Sequence, residues 1–255
     1  QMILLKELFH CSVAATSRNP GGGLLSRFAS SGSVEERKSG QDAFLDEDDC
    51  IVVDETDRIL GTATKRQVHQ ASSVTLHRAF SVFAFTPSRQ LIMQKRAASK
   101  VTFPSLWTNT CCSHPLYSIP EEIDMENGVR RAAVRKLVQE LNLVVREEQL
   151  TYMGRFLYKA HMQNGAPWAE HEMDYALVLK DIPIEAVRNP NLDEVEQTRV
   201  VDSKELNEWL QQEPLSFSPW FILFHRLGLL ERWWGALGDE KTLHTMKSND
   251  IIKMD

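Results

Sequence analysis

Nothing in the 255 residues approaches the roughly 20 consecutive apolar side chains of a membrane-crossing helix, so no helical span is expected. Cysteine is scarce as well. The four present (Cys11, Cys50, Cys111 and Cys112) make no spaced framework, and adjacent Cys111 and Cys112 are poor partners for a mutual bridge. A disulfide-stapled secreted domain is therefore not expected, whereas a reducing compartment is. A basic excess is also missing. With 29 basic against 35 acidic side chains, the chain lacks the surplus that a phosphate backbone demands, which excludes a general nucleic-acid binder. A composition of 42% hydrophobic and 25% charged residues is that of a globular chain rather than of fibre or disorder.

Acidic residues are absent from Leu8 to Val34, where Arg18 and Arg27 sit among Ser, Ala, Gly and short apolar runs. Residues 1–44 therefore read as an N-terminal extension with the composition of a mitochondrial presequence, Arg27-Phe28-Ala29-Ser30 suiting a matrix-protease cut. An extension carrying no address is the other reading, and cytoplasm or peroxisome the other destinations.

Folded structure is expected over 45–238, with 239–255 as a C-terminal tail. Ile51-Val52-Val53 and Ile59-Leu60-Gly61 flank an Asp-Glu-Thr-Asp turn and read as a hairpin. A strand over 79–86 faces a partner over 91–94. Residues 126–141 place Val129, Ala132, Ala133, Leu137 and Leu141 at helical spacing. Strands follow at 152–160 and 172–179, then a helix at 203–212 and a Trp-rich helix from Pro219 to about Trp234. Hairpins mixed with helices in this order mean α+β.

Chemistry concentrates in four places. In Glu170-His171-Glu172 on a strand edge, the two carboxylates share one face and His171 takes the other. Alone this is a solvated acidic strand end; with His69, His77 and His114 it becomes a three-imidazole, two-carboxylate set suited to Mn²⁺ or Mg²⁺, or to Zn²⁺ if nitrogen dominates. Cys111-Cys112-Ser113-His114 sets two thiols beside an imidazole, either buried structural cysteines or an activated thiol. Lys65, Arg96 and Lys100 are separate surface charges or, together, a diphosphate cradle. Trp220 after a Phe-Ser-Pro turn is a core plug or a π face for a carbocation.

Together, His77-Arg78-Ala79-Phe80-Ser81, Ser99-Lys100, Trp107-Thr108-Asn109-Thr110-Cys111-Cys112-Ser113-His114-Pro115-Leu116, Gly128-Val129-Arg130-Arg131-Ala132-Ala133, Glu170-His171-Glu172 and Pro219-Trp220 resemble the type 1 isopentenyl-diphosphate isomerases over about residues 45–236. The resemblance implies a Nudix-like α+β fold, a mixed sheet flanked by helices, and interconversion of isopentenyl and dimethylallyl diphosphate for isoprenoid biosynthesis. It implies a metal cage of His69, His77, His114, Glu170 and Glu172. Glu140 would help hold a second Mg²⁺ on the diphosphate, and Lys65, Arg96 and Lys100 would bind the diphosphate itself. Cys112 would be the base, Glu172 the acid beside Tyr158, and Trp220 the indole facing the cation. Cys111 is a neighbour without an assigned role. The expected partner is a small diphosphate, and the expected state a monomer.

Two positions depart from the family pattern: Ser105 and Asn142 stand where glycines are usual. If those glycines serve a positive φ, Asn142 tolerates it more readily than Ser105. A Nudix diphosphohydrolase is the enzymatic alternative, and a non-catalytic Nudix-like binding module the other. Hydrolysis wants a Glu-rich helix, and Lys136 and Gln139 replace two of its three carboxylates.

Overall fold

Two strands are buried along almost their whole length: β3 (His77–Phe85) at all nine positions, and β8 (Ala169–Leu179) at all but one. Such runs belong in the middle of a sheet covered on both faces. In the computed structural model, which describes residues 45–163 and 165–254, β3 and β8 pair in parallel from His77↔Glu172 to Ala84↔Leu179. The strand order is β10-β7-β8-β3-β1-β2, where β1 is Asp49–Val53, β2 Ile59–Thr64, β7 Leu150–His161 and β10 Ile251–Met254. On its other side β3 is joined in turn by β1, by β6 (Cys111–Ser113) and by β4 (Leu91–Arg96). β4 also carries β5 (Trp107–Thr108) and β9 (Val195–Val201).

Alternation along β3 and β8 divides the core. Phe80, Val82, Tyr175 and Leu177 pack under α2 (Met125–Leu141), whose Val129, Ala132, Ala133, Leu137 and Leu141 are fully buried, as their spacing predicts. Gly128 lets this helix approach: a Cβ there would lie 2.3 Å from the Glu122 carbonyl. Phe83, Phe85 and Val178 pack on the opposite face. They meet α3 (Ser203–Gln212), α4 (Pro219–Arg226), α5 (Leu229–Ala236) and α6 (Glu240–Thr245).

Two expectations need correction. The Trp-rich helix is not continuous; Gly228 takes φ +66° between α4 and α5 and breaks it. The helix expected over 203–212 is present as α3, capped by Asp202, whose carboxylate accepts the Glu205 N–H at 2.8 Å. Residues 239–255 are not simply a tail. They supply α6 and β10, and β10 pairs in parallel with β7 through Ile251↔Arg155 to Met254↔Tyr158. Tying Met254 down beside Tyr158 buries it at 3% exposure.

Ser105 and Asn142 both adopt left-handed backbone, at φ +59° and +54°. The positive φ that the missing glycines would serve is present at both positions. The proposed presequence in 1–44 lies outside the described residues. Among the described residues, no helix is long and apolar enough to cross a membrane.

Candidate active site

The N-terminal end of the β3–β8 pair is where the imidazoles and carboxylates converge. Thr64 caps α1 (Lys65–His69), accepting the Gln67 N–H at 3.3 Å, and that single turn delivers His69. His77 opens β3, His114 follows β6, and Glu170 and Glu172 open β8. Donor atoms of all five lie within 4.8 Å of one another, and all five residues are buried. Two imidazoles are held in a defined tautomer. His69 Nδ1–H donates to the Lys65 carbonyl (2.7 Å) and His77 Nδ1–H to the Thr75 carbonyl (2.8 Å), leaving both Nε2 lone pairs aimed into the cluster. Nε2 of His69 lies 2.8 Å from Oε2 of Glu170, two acceptors facing each other once Nδ1 carries the imidazole proton, and neither these atoms nor the His77 Nε2 finds a donor in the protein. Orphaned, electron-rich atoms converging in this way fit a divalent cation. His171 lies on the other face of β8 and is only half-buried, so the strand-face reading holds.

Glu172 is the busiest member. Its Oε1 is 2.9 Å from His114 Nε2 and 3.7 Å from His77 Nε2, and its Oε2 accepts the Tyr158 hydroxyl. Burial alone would raise this carboxyl, but the His114 hydrogen bond and the adjacent His77 imidazole hold it well below the usual range. Burial and the adjacent Glu172 charge push the Tyr158 phenol up, so its proton stays on the phenol oxygen. Burial also keeps His114 neutral.

Tyr158, Glu170, Glu172, Cys112, Trp220, Lys65, Arg96 and Lys100 line one narrow pocket of about 40 Å³. Cys112 Sγ lies 3.6 Å from Arg96 Nη1. Burial raises the Cys112 thiol to about 12 despite that guanidinium. Arg96 is itself fixed by the Thr102 and Phe103 carbonyls (2.8 and 3.1 Å) and sits 5.5 Å from the Trp220 ring centroid. Lys65 is half-buried; desolvation and the Lys100 and Lys136 charges lower its affinity for a proton. Three cationic side chains converging on one narrow space could hold an anion.

Sequence reasoning overlooked several members. Asn109 Oδ1 accepts the Trp220 indole N–H at 3.0 Å and the Thr108 hydroxyl at 2.8 Å, while its Nδ2 donates to the Val82 and Cys111 carbonyls. This one amide fixes Trp220 relative to the cysteines. Glu194 is buried at 2% exposure; it pairs with Lys100, lies 3.7 Å from Lys136 and accepts from Gln139 at 3.0 Å. Burial would raise its carboxyl, yet the Lys100 and Lys136 charges bring it to about 2. No local motif marks Glu194. Glu140 stands apart from the five-residue cluster: it is 3.2 Å from Lys136, 3.9 Å from Lys100, and 3.5 Å from Cys111 Sγ.

The chain also matches known proteins. A NUDIX domain model covers residues 75–221. The chloroplastic isopentenyl-diphosphate Delta-isomerase II of Arabidopsis thaliana is 40% identical over 245 residues, 86% of this chain and 84% of that protein. Isopentenyl-diphosphate Delta-isomerase 1 of Cannabis sativa, also chloroplastic, is 41% identical over 222 residues, covering 78% of this chain and 75% of its own length. Isopentenyl-diphosphate Delta-isomerase I of Camptotheca acuminata is 42% identical over 219 residues, 80% of this chain and 89% of that one. The fold and the domain match make the chain a Nudix protein. Within that class, it belongs to the isopentenyl-diphosphate Delta-isomerase family.

Proposed function

We infer that this chain is an isomerase that interconverts isopentenyl and dimethylallyl diphosphate, feeding isoprenoid biosynthesis. One observation carries the reading: a thiol (Cys112), a phenol–carboxylate pair (Tyr158 and Glu172) and an indole face (Trp220) share one narrow pocket with three cationic side chains, Lys65, Arg96 and Lys100. Moving a double bond by one carbon needs one proton delivered and another removed. The alkene is a very weak base, so a tertiary carbocation lies between the two events, and water must be kept away from it.

In this reading Lys65, Arg96 and Lys100 hold the diphosphate, orienting a small tail that offers nothing else to grip. Glu172 delivers the proton as its carboxylic acid, the minor form beside His114 and His77, with the Tyr158 phenol hydrogen-bonded to it. Cys112 takes the second proton as its thiolate, the minor form of a thiol raised to about 12, and the roles exchange in the reverse direction. The Trp220 face stabilises the cation, an effect on the order of 2 kcal/mol when desolvated. His69, His77, His114, Glu170 and Glu172 would hold a divalent ion, Mg²⁺, Mn²⁺ or Zn²⁺, whose charge fixes the Glu172 carboxyl and tunes its proton. A second Mg²⁺ would arrive with the diphosphate, Glu140 being the carboxylate beside Lys100.

Hydrolysis is disfavoured by the helix itself. Lys136 and Gln139, in place of the hydrolase carboxylates, are committed to Glu140 and Glu194. The deciding experiment incubates the protein with isopentenyl diphosphate and Mg²⁺. Dimethylallyl diphosphate is the expected product; released phosphate would mean a hydrolase, and no change a binding module.

A further inference from the structure

A second, larger space lies behind the active-site wall. It is a cleft of about 580 Å³ lined by Leu106, Met162, Phe217, Ile222, Leu223 and Met254, with the Phe103 ring on its inner side. The two spaces are back to back. Thr102, Tyr158 and Trp220 face the active-site cavity, while their chain neighbours Phe103, Lys159 and Pro219 face the cleft. Trp220 and Phe103 stand between them, Trp220 on the active-site side and Phe103 on the cleft side. The Phe103 ring stands edge-on to the Trp220 indole, with centroids 5.5 Å apart and planes at 88°, and it is 5% exposed. The backbone holds it in place at some cost: φ is +47°, the N–H donates to Met162 Sδ at 3.4 Å, and the carbonyl accepts from Arg96.

We propose that Phe103 sets the length of substrate this enzyme accepts, by walling off the alkenyl end of the active site from the apolar cleft. The inference rests on the isomerase reading and extends it to chain length. A five-carbon diphosphate, anchored at Lys65, Arg96 and Lys100, ends against Trp220. A longer homoallylic diphosphate would have to pass where the Phe103 ring stands. Truncating that ring joins the two spaces, and each added methylene that reaches the cleft is worth about fourfold in affinity.

The test compares wild type and Phe103→Ala on isopentenyl diphosphate and on its ten-carbon homoallylic homologue. Wild type should favour the shorter substrate by a hundredfold or more in kcat/KM. Phe103→Ala should shift that ratio at least 30-fold towards the longer one, chiefly through KM. Adding Ile222→Glu, which places a charge in the cleft, should cancel the gain. An unchanged ratio in a Phe103→Ala protein that still turns over the five-carbon substrate would overturn the proposal, as would a wild type indifferent to length. Should Phe103→Ala lose its folded circular dichroism, Phe103→Leu takes its place, with a smaller shift expected in the same direction. If wild type fails on the five-carbon substrate, the isomerase reading itself has failed. Calorimetry with decyl diphosphate then still tests the wall: at least tenfold tighter binding to Phe103→Ala supports it, and equal binding refutes it.

Discussion

Cys111 and Cys112 are neighbours in sequence with opposite surroundings: Cys111 Sγ lies 3.5 Å from Glu140 Oε2, and Cys112 Sγ lies 3.6 Å from Arg96 Nη1. Strand alternation on β6 turns the first towards α2 and the second into the active-site cavity. A carboxylate beside Cys111 disfavours its thiolate, whereas a guanidinium beside Cys112 favours one.

Cys112→Ala is therefore expected to lower turnover by about 10³-fold or more, the scale of removing a positioned proton-transfer group. Cys111→Ala removes one buried sulfur outside the cavity; it should cost about 1 kcal/mol of stability and leave most of the turnover. Formation of dimethylallyl diphosphate and a denaturant titration measure the two effects. Wild-type turnover in Cys112→Ala would remove the thiol from the mechanism.

The Cys112 thiol, raised to about 12, should be slow to alkylate. Thiolate grows as pH rises towards that value, so labelling of the Cys112 peptide should climb steadily from pH 7 to 10. At pH 8 it should run about 10³-fold slower than for a thiol near 9. Arg96→Gln removes the charge that opposes the rise and should slow it further. Peptide mass spectrometry after iodoacetamide treatment gives the rates, and a plateau below pH 9 would contradict the burial argument.

Glu170→Gln and Glu172→Gln should both weaken metal binding, because an amide oxygen is a poorer, uncharged donor. Excess metal should partly restore turnover in Glu170→Gln and not in Glu172→Gln, whose amide has no proton to deliver. His171→Ala, on the opposite face of β8, should keep its metal. Bound metal per chain, measured beside turnover across a metal titration, separates the three. Full rescue of Glu172→Gln would take the acid role from Glu172.

Glu194 holds Lys100 towards the cavity without lining it. Glu194→Gln should raise KM for the diphosphate about tenfold and change kcat much less, since a charge-assisted contact of about 1.5–3 kcal/mol is lost at the binding step. Its carboxyl, brought to about 2 from 4.5, also contributes on the order of 3 kcal/mol of stability. A depressed carboxyl contributes fully above pH 4.5, and the contribution fades as pH falls to about 2. The acid side of the stability curve of Glu194→Gln should therefore be flatter between those values, as read by denaturant midpoints at each pH.

How much of this was legible in the sequence depended on distance along the chain. Glu170 and Glu172 were separable from His171 because a strand repeats every two residues, and α2 showed its buried face through Val129 to Leu141. Distant partners left no such trace. Glu194 meets Lys100 across 94 residues, and Asn109 meets Trp220 across 111, so no local pattern could pair them. The cluster of His69, His77 and His114 came from family resemblance, its spacing being too irregular for a metal motif. β10 escaped notice because four residues make a weak strand signal, and its parallel partner begins about a hundred residues earlier.

That short strand has a consequence for solubility. β7 runs for 12 residues, Leu150–His161, and β10 covers part of its outer edge. Deleting 251–254 would bare a row of unpaired amides and carbonyls on an apolar strand, a ready template for another chain. The last lesion expected of such a truncation is a local one at Tyr158; the first is self-association, with protein lost to aggregates before any defect in chemistry becomes measurable.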